Sequence, residues 1–260
     1  MKNIIRSQLF QLKKETLIWI SLTAVSVMSL LTILTVISMK PGQEFVCTGS
    51  EYFAMGIGFS YSFPMIFLSI MSSTVCCSDF TDKTTNYELM SGHLRKDSYF
   101  GRAVVCIGLG IIGSAIIISL PVIVSTIVFG WGDKLKVSDV VMRILLMLLP
   151  YARFCCEMIC IAFILKNQYI VMGFGMMLSM VSIGLPTFLE NSGSAITSIT
   201  NLYQLSLTDI WSTFGLYEAN WLAELTASSE LVISTILCSA GFSAAALYLG
   251  YMFFNSDDIH

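Results

Sequence analysis

Arg153 and Glu157 are the residues whose types and spacing could do chemistry within an otherwise apolar stretch. They stand four residues apart, so on a helix they share one face and can neutralise each other. Arg153 follows Arg143 by ten residues and precedes Lys166 by thirteen, about 15 and 20 Å along a helix. If that helix crosses a bilayer, a charge at such depth costs at least ~2.5 kcal/mol. The pair is therefore either a polar patch on a translocation path or its gate, or a self-satisfied pair that locks this helix to a neighbour.

The cysteines and histidines do not form a recognisable catalytic or metal-binding pattern. Seven of the eight cysteines fall in apolar stretches, there is no C-x-x-C pair, and His93 and His260 are isolated in the sequence. We expect the thiols to be small apolar packing residues, and we expect no metal site. Because no Ser/His/Asp set stands out either, we expect no catalytic residues and no enzyme activity in this chain.

The sequence contains no convincing nucleotide-binding motif. Gly108-Leu-Gly110-Ile-Ile-Gly113 matches G-x-G-x-x-G, but it lies inside an uncharged run of 28 residues where a pyrophosphate would have to enter hydrocarbon. We therefore interpret these glycines as positions of close helix packing. None of the nine lysines follows a glycine, so the chain lacks a P-loop. Any ATP and Mg²⁺ that drive this protein must be bound by another chain.

The composition indicates an all-α membrane protein with several spans. Of its 260 residues, 55% are apolar and only 12% are charged, against about 25% charged in ordinary soluble domains. The net charge is −3, without a basic stretch that would bind nucleic acid. Six apolar runs are long enough to cross a bilayer, namely 17–39, 52–78 with a bend at Pro64, 103–130, 140–165, 169–189 and 231–254. We expect one transmembrane domain over residues 1–260.

The distribution of cations predicts that both termini are cytoplasmic. With the N-terminus inside, the inner segments hold nine cations and the outer segments hold four, Lys40, Lys134, Lys136 and Arg143. Residues 190–230 contain no Lys or Arg but five acidic residues, and their mixed pattern predicts an external amphipathic segment. Residues 1–16 alternate apolar and basic side chains, which predicts an interfacial helix, with a solvated basic tail as the alternative.

The inner segment 79–102 is the most informative loop. Its first part, Asp79 to Arg95, follows the pattern D-x-x-x-K-T-x-x-x-E-L-x-S-G-x-x-R. Asp82 can cap a short helix that Gly92 ends, while cations anchor the return to the membrane. Such a helix offers aromatic, apolar and acidic groups to a cytosolic partner.

With this loop, the interfacial N-terminal helix, the six spans and the outer amphipathic segment, the sequence resembles type-2 ABC exporter permeases over most of its length. That family includes bacterial antimicrobial-peptide (lantibiotic) immunity and drug-resistance permeases. The resemblance implies that the loop is a coupling helix docking on a cytosolic ABC ATPase. The docking residues would be Asp82, Lys83, Thr84, Tyr87, Glu88 and Leu89.

The same resemblance implies the rest of the assembly. The chain would pair with a second copy of itself or a sister permease in a bacterial plasma membrane and export an amphipathic peptide. Two other functions fit the sequence. An ion-coupled secondary transporter would depend on Arg153 and Glu157 and need no ATPase, whereas a scaffold or sensor would use the loop for docking without transport. The loop could also be an ordinary polar connection between spans.

Overall fold

The structure, a computed structural model, describes residues 2–38, 47–60, 62–81, 92, 94–133, 135–189 and 229–256. These residues form eight α-helices and contain no strand. The helices are α1 (Lys2–Lys14), α2 (Thr16–Ser38), α3 (Gly49–Ser60), α4 (Ser62–Thr81), α5 (Arg95–Phe129), α6 (Val137–Leu165), α7 (Gln168–Leu189) and α8 (Ser229–Ser256).

Four of the described helices are long and apolar enough to cross a membrane: α2, α5, α6 and the part of α8 from Ile236 to Ser256. The prediction of an all-helical, multi-pass membrane protein is confirmed at this level. Shorter apolar helices cover Ser62–Ser78 in α4 and Gln168–Ser179 in α7, within the second and fifth predicted spans. Residues 190–228, which include most of the predicted external segment, lie outside the described residues.

The second predicted span holds two described helices, α3, which ends at Ser60, and α4, which begins at Ser62. Pro64 is the third residue of α4, a position in the first turn of a helix where the missing proline N–H is tolerated. Residue 61 lies outside the described residues, and the bend predicted at Pro64 stays a prediction.

Hydrogen bonds at the end of α6 and at the start of α7 define the turn between these two helices. Lys166 ends α6 in the left-handed region, with φ +51°, and its N–H donates to the carbonyl of Ala162. The Asn167 Oδ1 accepts hydrogen bonds from the N–H groups of Tyr169 and Ile170 at 3.1 and 3.2 Å, as an N-cap does. The turn contains two residues, whereas the predicted spans 140–165 and 169–189 leave three between them, because Gln168 already belongs to α7.

α4 is the central helix of the bundle, packing against α2, α5, α6 and α7. Its buried residues combine large apolar side chains with a group of small ones, namely Ser69, Ser72, Ser73, Thr74, Cys76 and Cys77. The hydroxyls of Ser69, Ser73 and Thr74 donate to carbonyls of the preceding turn, so α4 satisfies them itself. Small side chains allow neighbouring helix backbones to approach closely.

Glycines on the neighbouring helices lie close to α4, where a larger residue would collide with its side chains. A Cβ on Gly110 of α5 would lie 2.7 Å from the Leu68 Cδ2, and one on Gly113 would overlap the Phe67 ring. From the other side, a Cβ on Gly175 of α7 would lie 2.5 Å from the Ser69 Oγ. Two glycines of the G-x-G-x-x-G pattern therefore pack against α4, whereas the third, Gly108, faces open space.

The N-terminal segment forms a separate helix on the outside of the bundle. α1 packs against α5, and its Ile4, Gln8 and Leu12 are buried one turn apart. Leu9 and Phe10 on its other side are exposed, and the Lys14 Nζ lies 4.5 Å from the centre of the Phe10 ring. α1 therefore has one apolar face against α5 and a second one open to the surroundings.

We expect Gly113→Ala to destabilise the protein by about 1 to 3 kcal/mol, because its methyl group would overlap the Phe67 ring. Gly108→Ala is the matched control on the same helix, where the methyl group meets nothing within 4 Å. Thermal unfolding in detergent should lower the midpoint of the first variant only. Equal midpoints would contradict the packing of α5 on α4.

Candidate functional site

Arg153 and Glu157 meet in the structure. The Arg153 Nε lies 3.4 Å from the Glu157 Oε1, with the arginine side chain fully buried and the glutamate side chain 16% exposed. Arg153 is the seventeenth residue of the 29 in α6, which places it near the middle of a helix long enough to span a bilayer. The spacing in sequence alone was enough to predict this contact, because it is local to one helix.

The pair also contacts a neighbouring helix. The Arg153 guanidinium carbon lies 5.8 Å from the centre of the Phe242 ring on α8, which is cation–π range. α8 packs mainly against α6. This geometry supports the interpretation that the pair locks α6 to its neighbour, since the arginine is enclosed between the two helices.

Two further arginines are buried, and the sequence analysis had counted both as loop cations. Arg102 lies inside α5, which begins eight residues before the predicted span, and Arg143 lies in the second turn of α6. Each is about 1% exposed. The Arg102 guanidinium carbon lies 5.9 Å from the centre of the Phe80 ring. Their burial depends on neighbouring helices, so position relative to the apolar runs did not reveal it.

The six predicted docking residues lie outside the described residues. They are Asp82, Lys83, Thr84, Tyr87, Glu88 and Leu89. The structure therefore does not test them. Both flanks of their segment are described: α4 continues to Thr81, and α5 begins at Arg95. Gly92 has φ +91°, a conformation that suits the predicted end of a helix.

The flanks of this segment meet in a cluster of four aromatic rings, here named the aromatic joint. It consists of Phe80, Tyr99, Phe163 and Phe254, one from the ends of each of α4, α5, α6 and α8. The centroids of Tyr99 and Phe163 are 4.6 Å apart, those of Phe163 and Phe254 5.0 Å, and those of Phe80 and Phe163 5.7 Å. The aromatic joint therefore connects both ends of segment 82–94 to the same four helices.

Hydrogen bonds strengthen the connection between α5 and α8. The Arg95 Nη1 donates to the carbonyl of Asn255 at 3.0 Å and to that of Phe254 at 3.5 Å, where a helix end leaves acceptors unsatisfied. One turn further along α5, the Tyr99 hydroxyl donates to the carbonyl of Leu247 at 2.9 Å. Gly250 makes room for this hydroxyl, since a Cβ there would lie 2.5 Å from the Tyr99 Oη.

The aromatic joint also has cations on its Phe80 ring. Besides Arg102, the Lys166 Nζ from the turn after α6 lies 5.8 Å from the centre of this ring. A displacement of segment 82–94 would therefore act on α6 and α8 through aromatic, cation–π and hydrogen-bonding contacts. This cluster could not be predicted from the sequence, because Phe80 and Tyr99 lie in the inner segment 79–102 whereas Phe163 and Phe254 come from the fourth and sixth predicted spans. Only Phe80 lies within the quoted loop pattern.

Comparison with known proteins does not assign this chain to a family. A scan of the chain against protein-family models gives no match, and a search of curated proteins gives no significant match.

We expect Arg95→Gln to loosen the last turn of α8, because it removes hydrogen bonds from a charged donor to two carbonyls. Such a bond contributes roughly 1.5 kcal/mol when buried and less when partly exposed, so amide exchange in residues 252–256 should rise about threefold to tenfold. The control is Lys96→Gln, which removes the adjacent charge from an exposed position. Hydrogen exchange read by mass spectrometry measures both variants, and equal rates would contradict the capping role of Arg95.

Glu157→Gln should destabilise the protein by about 3 kcal/mol, because it removes the carboxylate beside a buried guanidinium. If the pair serves to lock α6 against α8, the double variant Arg153→Met/Glu157→Met should recover stability to within about 1 kcal/mol of the parent. Thermal unfolding in detergent is the measurement. Glu15→Gln, in the turn between α1 and α2, makes the same chemical change as a control.

Proposed function

We propose that this chain is the membrane-spanning subunit of an ATP-driven ABC exporter in a bacterial plasma membrane. In this proposal α3 and α4 together form the second of six spans. The other five spans are α2, α5, α6, α7 and α8, and both termini are cytoplasmic. The chain pairs with a second copy or a sister permease, and ATP and Mg²⁺ are bound by a cytosolic ATPase. The cargo is an amphipathic peptide.

The end of the bundle that carries the aromatic joint is the cytoplasmic end in this proposal. Arg95 and Lys96 open α5, and Lys166 closes α6 at the same joint. Cations concentrate on the cytoplasmic side of membrane proteins, which supports this orientation. α1, whose last turn holds Lys13 and Lys14, would lie in the inner interface with Leu9 and Phe10 towards lipid.

The observation that carries the proposal is the attachment of segment 82–94 to the aromatic joint. An ordinary polar loop needs only to connect two helices, but the flanks of this segment contact the ends of α6 and α8 as well. A partner that pulls on the segment would therefore move four helices together. This is the property that a coupling helix requires if ATP binding elsewhere is to bias a two-state permease.

The proposed cycle follows from this connection. Two ATPase subunits dock on the segments of two permease chains, and ATP-driven closure of the ATPases brings these segments together. The aromatic joints transmit the displacement to α6 and α8, which switches the pair between inward-open and outward-open states. An amphipathic cargo suits the methionine-rich α7, where the exposed Met177 and Phe174 offer an adaptable apolar surface.

Purification of the chain in a mild detergent from its native membrane, followed by mass spectrometry, tests the proposal. The expected result is a stoichiometric partner protein that carries a P-loop. A second permease in the same complex would identify a heterodimer, and its absence a homodimer. If no ATPase is present under conditions that preserve known exporter complexes, the proposal is wrong.

Glu88→Lys should leave the protein inserted but uncouple ATP hydrolysis from transport, because it reverses a charge in the proposed docking surface. We expect peptide export from vesicles containing the complex to fall by at least about tenfold, equivalent to ~1.4 kcal/mol of lost coupling. Asp133→Lys, an exposed charge reversal at the opposite end of α5, is the control and should export normally. Normal export by the Glu88 variant would contradict the docking assignment. Disturbed signalling with export and peptide tolerance unchanged would favour a scaffold or sensor.

A further inference from the structure

Three thiols converge in the centre of the bundle, although the sequence places them in three different apolar stretches. Cys76 of α4, Cys106 of α5 and Cys155 of α6 are each buried, with at most 1% of their surface exposed. The Cys106 Sγ lies 3.7 Å from the Cys155 Sγ, which is van der Waals contact between two sulfur atoms. Cys76 is a neighbour of Cys106 as well.

A hydroxyl group completes the arrangement around Cys106 and Cys155. The Cys106 thiol donates to the Ser72 Oγ at 3.4 Å, and the Ser72 Oγ lies 3.8 Å from the Cys155 Sγ. The two sulfurs and this oxygen form a triangle in which each atom is within hydrogen-bonding range of the other two. Gly110, one turn beyond Cys106, lets α5 approach closely, since a Cβ there would lie 3.4 Å from the Cys155 Sγ.

We propose that Cys106 and Cys155 form a thiol-oxidation site, which a small hydroperoxide converts into a disulfide between α5 and α6. The remaining thiols are placed differently. The Cys77 thiol donates to the Ala162 carbonyl at 3.5 Å, and Cys156 adjoins Cys155 on the same helix but on a different face. Metal binding is not part of the proposal, since the described residues contain no group of three His, Cys, Asp or Glu residues that could hold a metal ion.

The chemistry is a two-electron oxidation of sulfur coupled to reduction of the peroxide. The Cys106 sulfur attacks one peroxide oxygen and the O–O bond breaks. The Cys106 proton passes through the Ser72 hydroxyl to the departing oxygen, which leaves as water from hydrogen peroxide or as an alcohol from an alkyl hydroperoxide. The Cys155 sulfur then attacks the resulting sulfenic acid, the S–O bond breaks, and the Cys155 proton leaves with the sulfenic oxygen as water. One hydroperoxide molecule thus converts two thiols into one disulfide.

Such a bond would restrain the bundle at its centre. α5 and α6 both pack against α4 at this level, through Cys106 and Cys155 next to Ser72. A covalent link there would oppose any movement of α5 relative to α6. The proposed disulfide does not depend on the identity of the transported substrate or on an ATPase. A failure of the test below would therefore leave the proposed exporter function standing, and a failure of the exporter function would leave the disulfide standing.

The test uses the full chain in lipid nanodiscs with hydrogen peroxide as the probe. After treatment the protein is unfolded in the presence of an alkylating reagent, so that buried free thiols are labelled too. It is then digested without reductant, and peptides are identified by mass spectrometry. We expect a linked pair of peptides containing Cys106 and Cys155, two hydrogen atoms lighter than the free peptides and separated again by dithiothreitol. The same treatment of the denatured chain should give no preference for this pair.

Substitutions of single residues show which side chains take part in the oxidation. Cys76→Ser and Cys238→Ser should keep the linkage, because neither removes a sulfur of the proposed pair. Ser72→Ala should slow its formation by about tenfold or more, because it removes the group that carries the proton. The proposal is overturned if Cys106 and Cys155 are both alkylated in the treated wild-type protein, or if Cys106 is linked to Cys76 instead.

Discussion

The close packing of helices around α4 is the constraint on which the other features of this bundle depend. Within hydrocarbon, helices gain little from the hydrophobic effect on meeting each other, so association relies on close contact and interhelical hydrogen bonds. α4 provides both, because its buried residues include several Ser and Cys side chains and because Gly110, Gly113 and Gly175 of its neighbours lie against it. Its C-terminal end then sets the position of the Phe80 ring.

α8 depends on a different kind of contact. It packs mainly against α6, and much of its remaining surface is exposed. Near its middle Phe242 lies against the Arg153 guanidinium, and at its end the Arg95 guanidinium and the aromatic joint hold its last turns. Because α8 packs extensively along α6, a displacement at its end would act on both helices. For this reason the contact between Arg95, which flanks segment 82–94, and the end of α8 has mechanical consequences.

The sequence predicted the features that depend on local pattern. Apolar run length predicted the four described helices that are long enough to cross a membrane, and i,i+4 spacing predicted the meeting of Arg153 and Glu157. Absence of charge around the G-x-G-x-x-G glycines predicted helix packing, which two of the three provide. Helix boundaries were less accurate, since α5 begins at Arg95 rather than at residue 103. Polar residues can extend a helix beyond its apolar run when other helices cover them.

Features that depend on contacts between distant stretches could not be predicted. The burial of Arg102, the aromatic joint and the meeting of Cys106 with Cys155 each require the relative rotation of helices, and a single sequence does not contain it. The proposed docking residues depended on resemblance rather than on physical derivation. They lie outside the described residues, and the structure does not test them.

The central claim is that segment 82–94 receives an ATPase and transmits its movement to the bundle. Site-specific photo-crosslinking tests it most directly, with a photoreactive amino acid at position 88 and, as the control, at position 133. The account predicts that a P-loop ATPase is captured in native membranes from position 88 and not from position 133. Capture from both positions alike, or no ATPase from position 88 in a complex that still confers peptide tolerance, would contradict it.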